Sequence, residues 1–306
     1  MTDFETTFLF WNVHQNAVDE QLIRLINYEK IDVVALAESA YVGHEAELMT
    51  LINSNLPAGS ETFHPAPMPA RTRHQNIQTF SRLRRPDWNI EFEHDRYTGW
   101  SFSTDRGTQL LLVGAHFPSI QYDQGDGQRK TAIELRQDIE TFEGRWQEEH
   151  PVGFKIPMAF VVGDLNANPF DAGIAGFYGL NASGNRDIVR RQGARVLNGR
   201  AMRFFYNPMW RFLGNGSSPG TYYDRLSSPV CYDWFVLDQV LLSPAIMPHF
   251  DEDTLRILTW DAGRQFGGQR LTKPEDNTPI SEISDHLPLV FKFRFDGASL
   301  LGGRRP

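Results

Sequence analysis

Gly163-Asp164-Leu165-Asn166 closes the apolar run Met158-Ala159-Phe160-Val161-Val162, and Asn168-Pro169 follows it. A strand that runs out into a loop at this point holds its last polar side chains rigidly and leaves them within reach of solvent. Side chains two residues apart on an extended backbone point to one face, so the spacing predicts that Asp164 and Asn166 address a single reacting centre. A carboxylate there can take a proton from water, and an amide can fix an oxygen. Ser284-Asp285-His286 adds a second carboxylate and an imidazole. Together these groups suit metal-assisted hydrolysis of a phosphate ester, which needs an activated water, neutralised phosphoryl oxygens and help for the leaving oxygen.

Polar residues recur where apolar runs stop. Asn12 follows Phe8-Leu9-Phe10-Trp11, Glu38 follows the run 33–37, His116 follows 110–115, and Asp285 with His286 is read in the same way. Strand ends on one edge of a sheet converge. Five such positions imply one cleft.

The elements that must position them are a layered set of strands and helices. Strands are predicted at 7–12, 33–37, 100–103, 110–115, 158–163, 234–242 and 289–295, the sixth with Asp238 inside it. An unpaired carboxylate inside an apolar strand is costly, so Asp238 needs a partner, either His286 or a structural Arg or Tyr. Val18, Leu22, Leu25 and Ile26 form one helical stripe. A second helix is predicted over 44–56 with Leu48, Leu51 and Ile52 inward, and 57–69 reads as loop. Ala132, Leu135, Ile139, Phe142 and Trp146 mark the clearest helix, preceded by Gly125. The sequence reads as one domain over 1–306, with an irregular insertion at 168–220 and a frayed tail at 297–306.

Composition sets the class. With 306 residues, 41% of them hydrophobic, the chain can bury a large core. Its one cysteine, Cys231, excludes a disulfide framework and an all-cysteine zinc site; it reads as a small buried hydrophobe. Acids stand near Met1 where a signal peptide would carry Lys or Arg, and no apolar stretch approaches the roughly 20 residues of a membrane span. A cytoplasmic protein is expected. The net charge of −8 opposes a polyanionic partner, yet arginines cluster at 71, 73, 82, 84 and 85 and again at 186, 190, 191, 195, 200, 203 and 211. Such segments either focus a polyanion onto one face or are solvated faces.

The chain resembles the endonuclease/exonuclease/phosphatase superfamily, the deoxyribonuclease I-like fold. The matching elements run in the family's order: Trp11-Asn12-Val13, Asp32-Val-Val-Ala-Leu-Ala-Glu38, Gly114-Ala-His116, Gly163-Asp-Leu-Asn166, Thr221-Tyr-Tyr with the 234–243 strand, and Ser284-Asp-His286. The resemblance implies an α/β four-layer α-β-β-α sandwich of two packed mixed sheets flanked by helices. It implies Mg²⁺ or Mn²⁺ held by Glu38 with help from Asp285, since such hard cations keep several waters and take one or two carboxylates. By the same resemblance Asn12 lies near both the metal and Asp164. Asp164 orients or deprotonates the attacking water and Asn166 holds phosphate or water in line. His286, held by Asp238, contacts the phosphate, and His116 serves the opposite oxygen or the leaving group.

Three departures from the family pattern stand out. His14 occupies the place where many nucleases of this fold carry a second acid, so it lies either near the metal or in a surface hydrogen-bonding role. Thr79-Phe-Ser81-Arg82 lacks the usual glycine. The Trp-Cys-Asp-Arg block of inositol phosphatases is absent, and Asp224-Arg225 stands in another setting. Arg82, Arg129, Arg203, Trp210 and Arg211 are candidate substrate contacts, with Phe204, Phe205, Tyr206 and Phe212 either a stacking surface or core. A mobile turn is expected at Gly214-Asn-Gly216. Two activities fit: a divalent-metal nuclease on DNA or RNA, and a phosphatase or phosphodiesterase on a small or lipid-linked phosphate.

Overall fold

Apolar runs buried on both faces set the architecture of the computed structural model, which describes residues 4–69, 77–83, 88–103, 108–119, 126–150, 157–213, 220–224 and 233–295. The chain order begins β1 (Phe4–Asn12), α1 (Asp19–Glu29), β2 (Val33–Ala37), α2 (Glu45–Ser54), β3 (His64–Pro65) and β4 (Gln78–Ser81). Next come β5 (Asn89–His94), β6 (Tyr97–Ser103), β7 (Gln109–His116), α3 (Asp126–Glu149) and β8 (Met158–Asp164). Then follow α4 (Ala172–Ala175), β9 (Ala182–Ser183), α5 (Arg186–Gln192), β10 (Ala194–Leu197), β11 (Arg200–Arg203) and β12 (Phe205–Tyr206). The last elements are β13 (Tyr222–Tyr223), β14 (Trp234–Phe235), β15 (Asp238–Leu242), β16 (Phe250–Ile257) and β17 (Leu289–Phe295).

One sheet runs β16-β17-β1-β2-β4-β3 and the other β5-β6-β7-β8-β15-β12-β9. Both are mixed: β1 with β2 and β7 with β8 are parallel, while β17 with β1 and β15 with β8 are antiparallel. Alternation along each strand assigns the layers. Phe8 and Phe10 of β1 and Val33 and Ala35 of β2 meet Leu110, Leu112, Phe160 and Val162 between the sheets. Leu9, Trp11, Val34 and Leu36 turn outward onto Leu22, Leu25, Leu48 and Ile52 of α1 and α2. Leu111, Val113, Ala159 and Val161 turn outward onto Ala132, Leu135, Ile139 and Phe142 of α3. Helix, sheet, sheet and helix make the four-layer sandwich. Because both faces are buried, the central strands read as unbroken apolar runs.

The middle layer is aromatic. Phe160, fully buried, meets Phe8 at 5.2 Å and Phe293 at 5.0 Å between ring centroids, bridging the two sheets. Phe160→Ala is expected to cost about 3–5 kcal/mol, seen as a lower urea midpoint at unchanged slope. A loss below about 1 kcal/mol would show that the surrounding rings close over the gap.

Several elements differ from the sequence expectation. The second helix buries Met49 with Leu48 and Ile52, and Leu51 is 37% exposed. A two-residue strand, β3, interrupts the 57–69 loop, and β5 and β16 are strands without a clean apolar alternation. Within the described residues of the 168–220 segment, β9 and β12 extend the second sheet, and β10 pairs with β11. The 234–242 strand breaks between β14 and β15, so Asp238 opens a strand instead of lying inside one. Asp285 and His286 precede β17 and follow no strand. Arg71, Arg73, Arg84, Arg85, Gly125, Gly214, Gly216, Arg225, Cys231 and the 297–306 tail lie outside the described residues. Among the described residues no helix is long and apolar enough to cross a membrane.

Candidate active site

Register brings the polar strand ends together. His116 at the end of β7 lies opposite Asp164 at the end of β8, and Asp164 lies opposite Asp238 at the start of β15. On the facing sheet Asn12 ends β1 opposite Ala37, one residue before Glu38. The fully buried Asn12 amide joins the two sheets. Its Nδ2 donates to Asp164 Oδ2 at 3.0 Å and to Glu38 Oε1 at 3.1 Å.

Asp164 is the hub. It is 1% exposed, and His116 Nε2 stands 3.9 Å and His286 Nε2 3.7 Å from its Oδ2. His116 Nε2 is also 3.5 Å from Glu38 Oε1. His286 Nδ1 is 2.8 Å from Asp238 Oδ2, the contact predicted for this pair, and Asp238 is completely buried. Burial by itself would lower the His286 pKa, but the carboxylates of Asp238 and then Asp164 outweigh it and raise it to about 10. Burial pushes the Asp238 carboxyl up, opposed by the His286 charge. The imidazole is the better home for the proton, because it faces two carboxylates.

Glu38 and Asp285 form the open side of the site, with side chains 23% and 29% exposed. Asp285 Oδ1 is buried and accepts no hydrogen bond among the described residues. His14 lies between them, Nδ1 at 3.5 Å from Asp285 Oδ1 and 3.8 Å from Glu38 Oε2. Ligand atoms of Glu38, His116 and Asp164 lie within 4.8 Å of one another, as do those of Asp164, Asp238 and His286. The first group opens toward solvent and could hold a divalent cation beside Asp285. In the second, the Asp238–His286 hydrogen bond occupies Nδ1, which makes it a proton-holding pair.

Asn166 departs from the period-two expectation. The strand stops at Asp164, and Asn166 takes a left-handed φ of 45°. Its N–H donates to Asp164 Oδ1 at 2.9 Å and its Nδ2 to the Phe117 carbonyl at 2.9 Å. Asn166 therefore ties the β8 turn to the chain after His116 and fixes Asp164, with its amide nitrogen turned to protein.

Further residues without a sequence-assigned role shape the site. Ser284 Oγ donates to the Asn12 carbonyl at 2.7 Å and accepts from His286 N–H at 3.0 Å, while Trp11 Nε1 donates to the His286 carbonyl. Thr221 Oγ1 accepts from the Leu237 and Asp238 N–H groups. The Tyr222 ring packs 4.7 Å from the His286 ring, and burial, followed by Asp285, raises its phenol to about 12, so it remains a donor. Thr221, Tyr222 and Ser284 sit inside matched motifs, and that is their one sequence signal.

Three of the candidate substrate contacts are engaged by groups of the chain itself. Arg82 pairs with Asp32 at 3.0 Å, Arg203 with Glu143 at 2.5 Å, and Arg211 donates to the Glu252 carbonyl at 2.6 Å. Phe204, Phe205, Tyr206 and Phe212 are core, whereas Trp210 is 37% exposed and packs edge-on against exposed Phe170. Arg129 is exposed in the first turn of α3 and lies against Gly173, in the segment that follows the Asp164 turn.

No family model and no curated protein matches the sequence. Solved structures do match the fold. An endonuclease/exonuclease/phosphatase family protein from Bacteroides thetaiotaomicron aligns over 97% of both chains at 13% identity and TM-score 0.53. D. rerio TDP2 complexed with a single-strand DNA product aligns over 95% of this chain and 99% of its own, at 16% identity and TM-score 0.52. ANGEL2, a 2',3'-cyclic phosphatase in complex with adenosine-2',3'-vanadate, aligns over 96% of both chains at 12% identity and TM-score 0.54. These likenesses establish the fold.

Proposed function

We propose that this chain, which has the fold of the endonuclease/exonuclease/phosphatase superfamily, is a divalent-metal-dependent hydrolase of phosphodiester bonds with nucleic acid as its substrate. The observation that carries the reading is Asp164, buried between two imidazoles and tied through Asn12 to Glu38. Asp164 orients and deprotonates the attacking water. The His286 cation, held by Asp238, stabilises a phosphoryl oxygen, and His116 Nε2 serves a second oxygen or the leaving group. Asn12 and Asn166 hold Asp164 in place. Glu38 and Asp285 fit a divalent cation: they are hard oxygen donors on the open side, and one Asp285 oxygen lacks a hydrogen bond among the described residues. A cation bound there supplies positive charge against the phosphoryl oxygens.

Nucleic acid as substrate is supported by the DNA product and the adenosine ligand in two structures of this fold, and by the exposed Phe170 and Trp210 rings as stacking surfaces. A second reading, a small phosphoester, is favoured by one observation. The net charge is −8, and Arg82, Arg186, Arg190 and Arg203 are paired with carboxylates of the chain itself. Incubation with plasmid, single-stranded DNA, RNA and small phosphoesters, with Mg²⁺, Mn²⁺ or EDTA, separates the two. Polynucleotide cleavage that falls steeply with salt supports the first; turnover of small esters alone selects the second. Activity that survives EDTA removes the metal from the mechanism.

Metal binding has a readout independent of turnover. At 100 times its dissociation constant, a cation that binds the folded chain adds about 2.7 kcal/mol of stability, a rise in melting temperature of about 4 °C. Glu38→Gln is expected to abolish that rise in a thermal melt; an equal rise in the variant would place the cation elsewhere.

A further inference from the structure

His14 enters the site through its backbone. Its N–H donates to Asn12 Oδ1 at 3.0 Å, and the next N–H, of Gln15, donates to the Glu38 carbonyl at 2.8 Å. Both residues are left-handed, with φ of 49° and 57°. That region is uncommon for residues other than glycine, so two in succession mark a turn imposed by the site around it. The turn carries the imidazole across the gap between the carboxylates of β2's end and the loop before β17.

The two Nδ1 distances, 3.5 Å to Asp285 Oδ1 and 3.8 Å to Glu38 Oε2, are too long for good hydrogen bonds. They are close to the spacing of ligands around one cation. With bonds of about 2.0–2.2 Å, neighbouring ligand atoms stand roughly 3.0–3.5 Å apart, so the imidazole nitrogen stands near ligand spacing from each of the two carboxylates. His14 is 55% exposed on its side chain and so has the freedom to turn. A neutral imidazole nitrogen beside two carboxylates changes what the site prefers. Mg²⁺ takes oxygen ligands and keeps its waters, whereas Zn²⁺ and Co²⁺ gain from imidazole.

We propose that His14 Nδ1 is a ligand of the divalent cation held by Glu38 and Asp285 and shifts the selectivity of that site from Mg²⁺ toward Zn²⁺ and Co²⁺. The inference rests on the reading of those two carboxylates as cation ligands. Isothermal titration of the full chain with Co²⁺, Zn²⁺ and Mg²⁺ tests it, in the native protein and in the His14→Ala, His14→Asp and Glu38→Gln variants. His14→Ala should weaken Co²⁺ and Zn²⁺ at least tenfold and leave Mg²⁺ within about threefold. It should also change the visible absorption of bound Co²⁺. His14→Asp, which supplies oxygen in place of nitrogen, should tighten Mg²⁺. Equal changes for all three cations on His14→Ala, or tighter binding of all three, would overturn the proposal, since the imidazole would then be a bystander or a competing cation. Failure of the carboxylate reading looks different: Glu38→Gln would then leave the native affinities unchanged.

Discussion

Asp164→Asn is expected to lower phosphodiester hydrolysis by roughly 10³–10⁴-fold while changing stability by no more than about 1 kcal/mol. The carboxylate is 1% exposed and has two tasks. As a base, its buried Oδ2 stands within 4 Å of the Nε2 atoms of both His116 and His286. As an acceptor, it takes Asn12 Nδ2 on Oδ2 at 3.0 Å and the Asn166 N–H on Oδ1 at 2.9 Å. An amide keeps the volume, loses the base, and withdraws one of the charges that hold His286 cationic. Two stability effects oppose each other. One acceptor becomes a donor facing a donor, which costs about 1–3 kcal/mol, and removing a charge near Glu38 and Asp238 relieves repulsion in a low-dielectric site. Turnover and melting temperature measured on the same preparation separate chemistry from folding. A variant that retains more than a tenth of native turnover would show that another group activates the water.

Much of this site was legible because it stands where doubly buried strands stop. Phe8 to Trp11, Val33 to Ala37 and Ala159 to Val162 have to be apolar on both faces, so the first polar residue after each is conspicuous. Asn12, Glu38 and Asp164 stand out that way, as does His116 after Leu110 to Ala115. What a strand end does next is set by partners far along the chain. Asn166 turns away because the Phe117 carbonyl, 49 residues earlier, accepts its amide. Asp238 starts a strand because β15 runs antiparallel to β8, which no local pattern reveals. The arginines mislead for the same reason. Arg203 finds Glu143 60 residues away, and a charge run read along the sequence carries no record of the acids it will meet. Strands of two residues such as β9 and β12 are too short for any period to register.

Gly163→Ala is expected to cost both stability and activity, although the position carries no chemistry. A methyl placed there would sit 1.8 Å from the Ala115 carbonyl oxygen and 2.7 Å from its carbon, all backbone atoms of β7. Real Cβ contacts do not fall below 3.0 Å, so β7 and β8 must separate by at least 3.0 − 1.8 = 1.2 Å. Overpacking of this kind costs about 1–3 kcal/mol. Ala115 with Gly163 is the pair immediately before His116 with Asp164, so the separation falls on the proposed catalytic pair, where a displacement near 1 Å costs about a hundredfold in rate. Gly144 in α3 is the matched control. Nothing lies within 4 Å of a methyl there, and Gly144→Ala should stabilise by about 0.5–1 kcal/mol with turnover unchanged. Urea denaturation and turnover of the two variants decide the point. If Gly163→Ala keeps native stability and rate, strand approach is not why glycine precedes Asp164. If both fall while Gly144→Ala gains, the glycine is there to let two parallel strands close until His116 and Asp164 stand side by side at the strand ends.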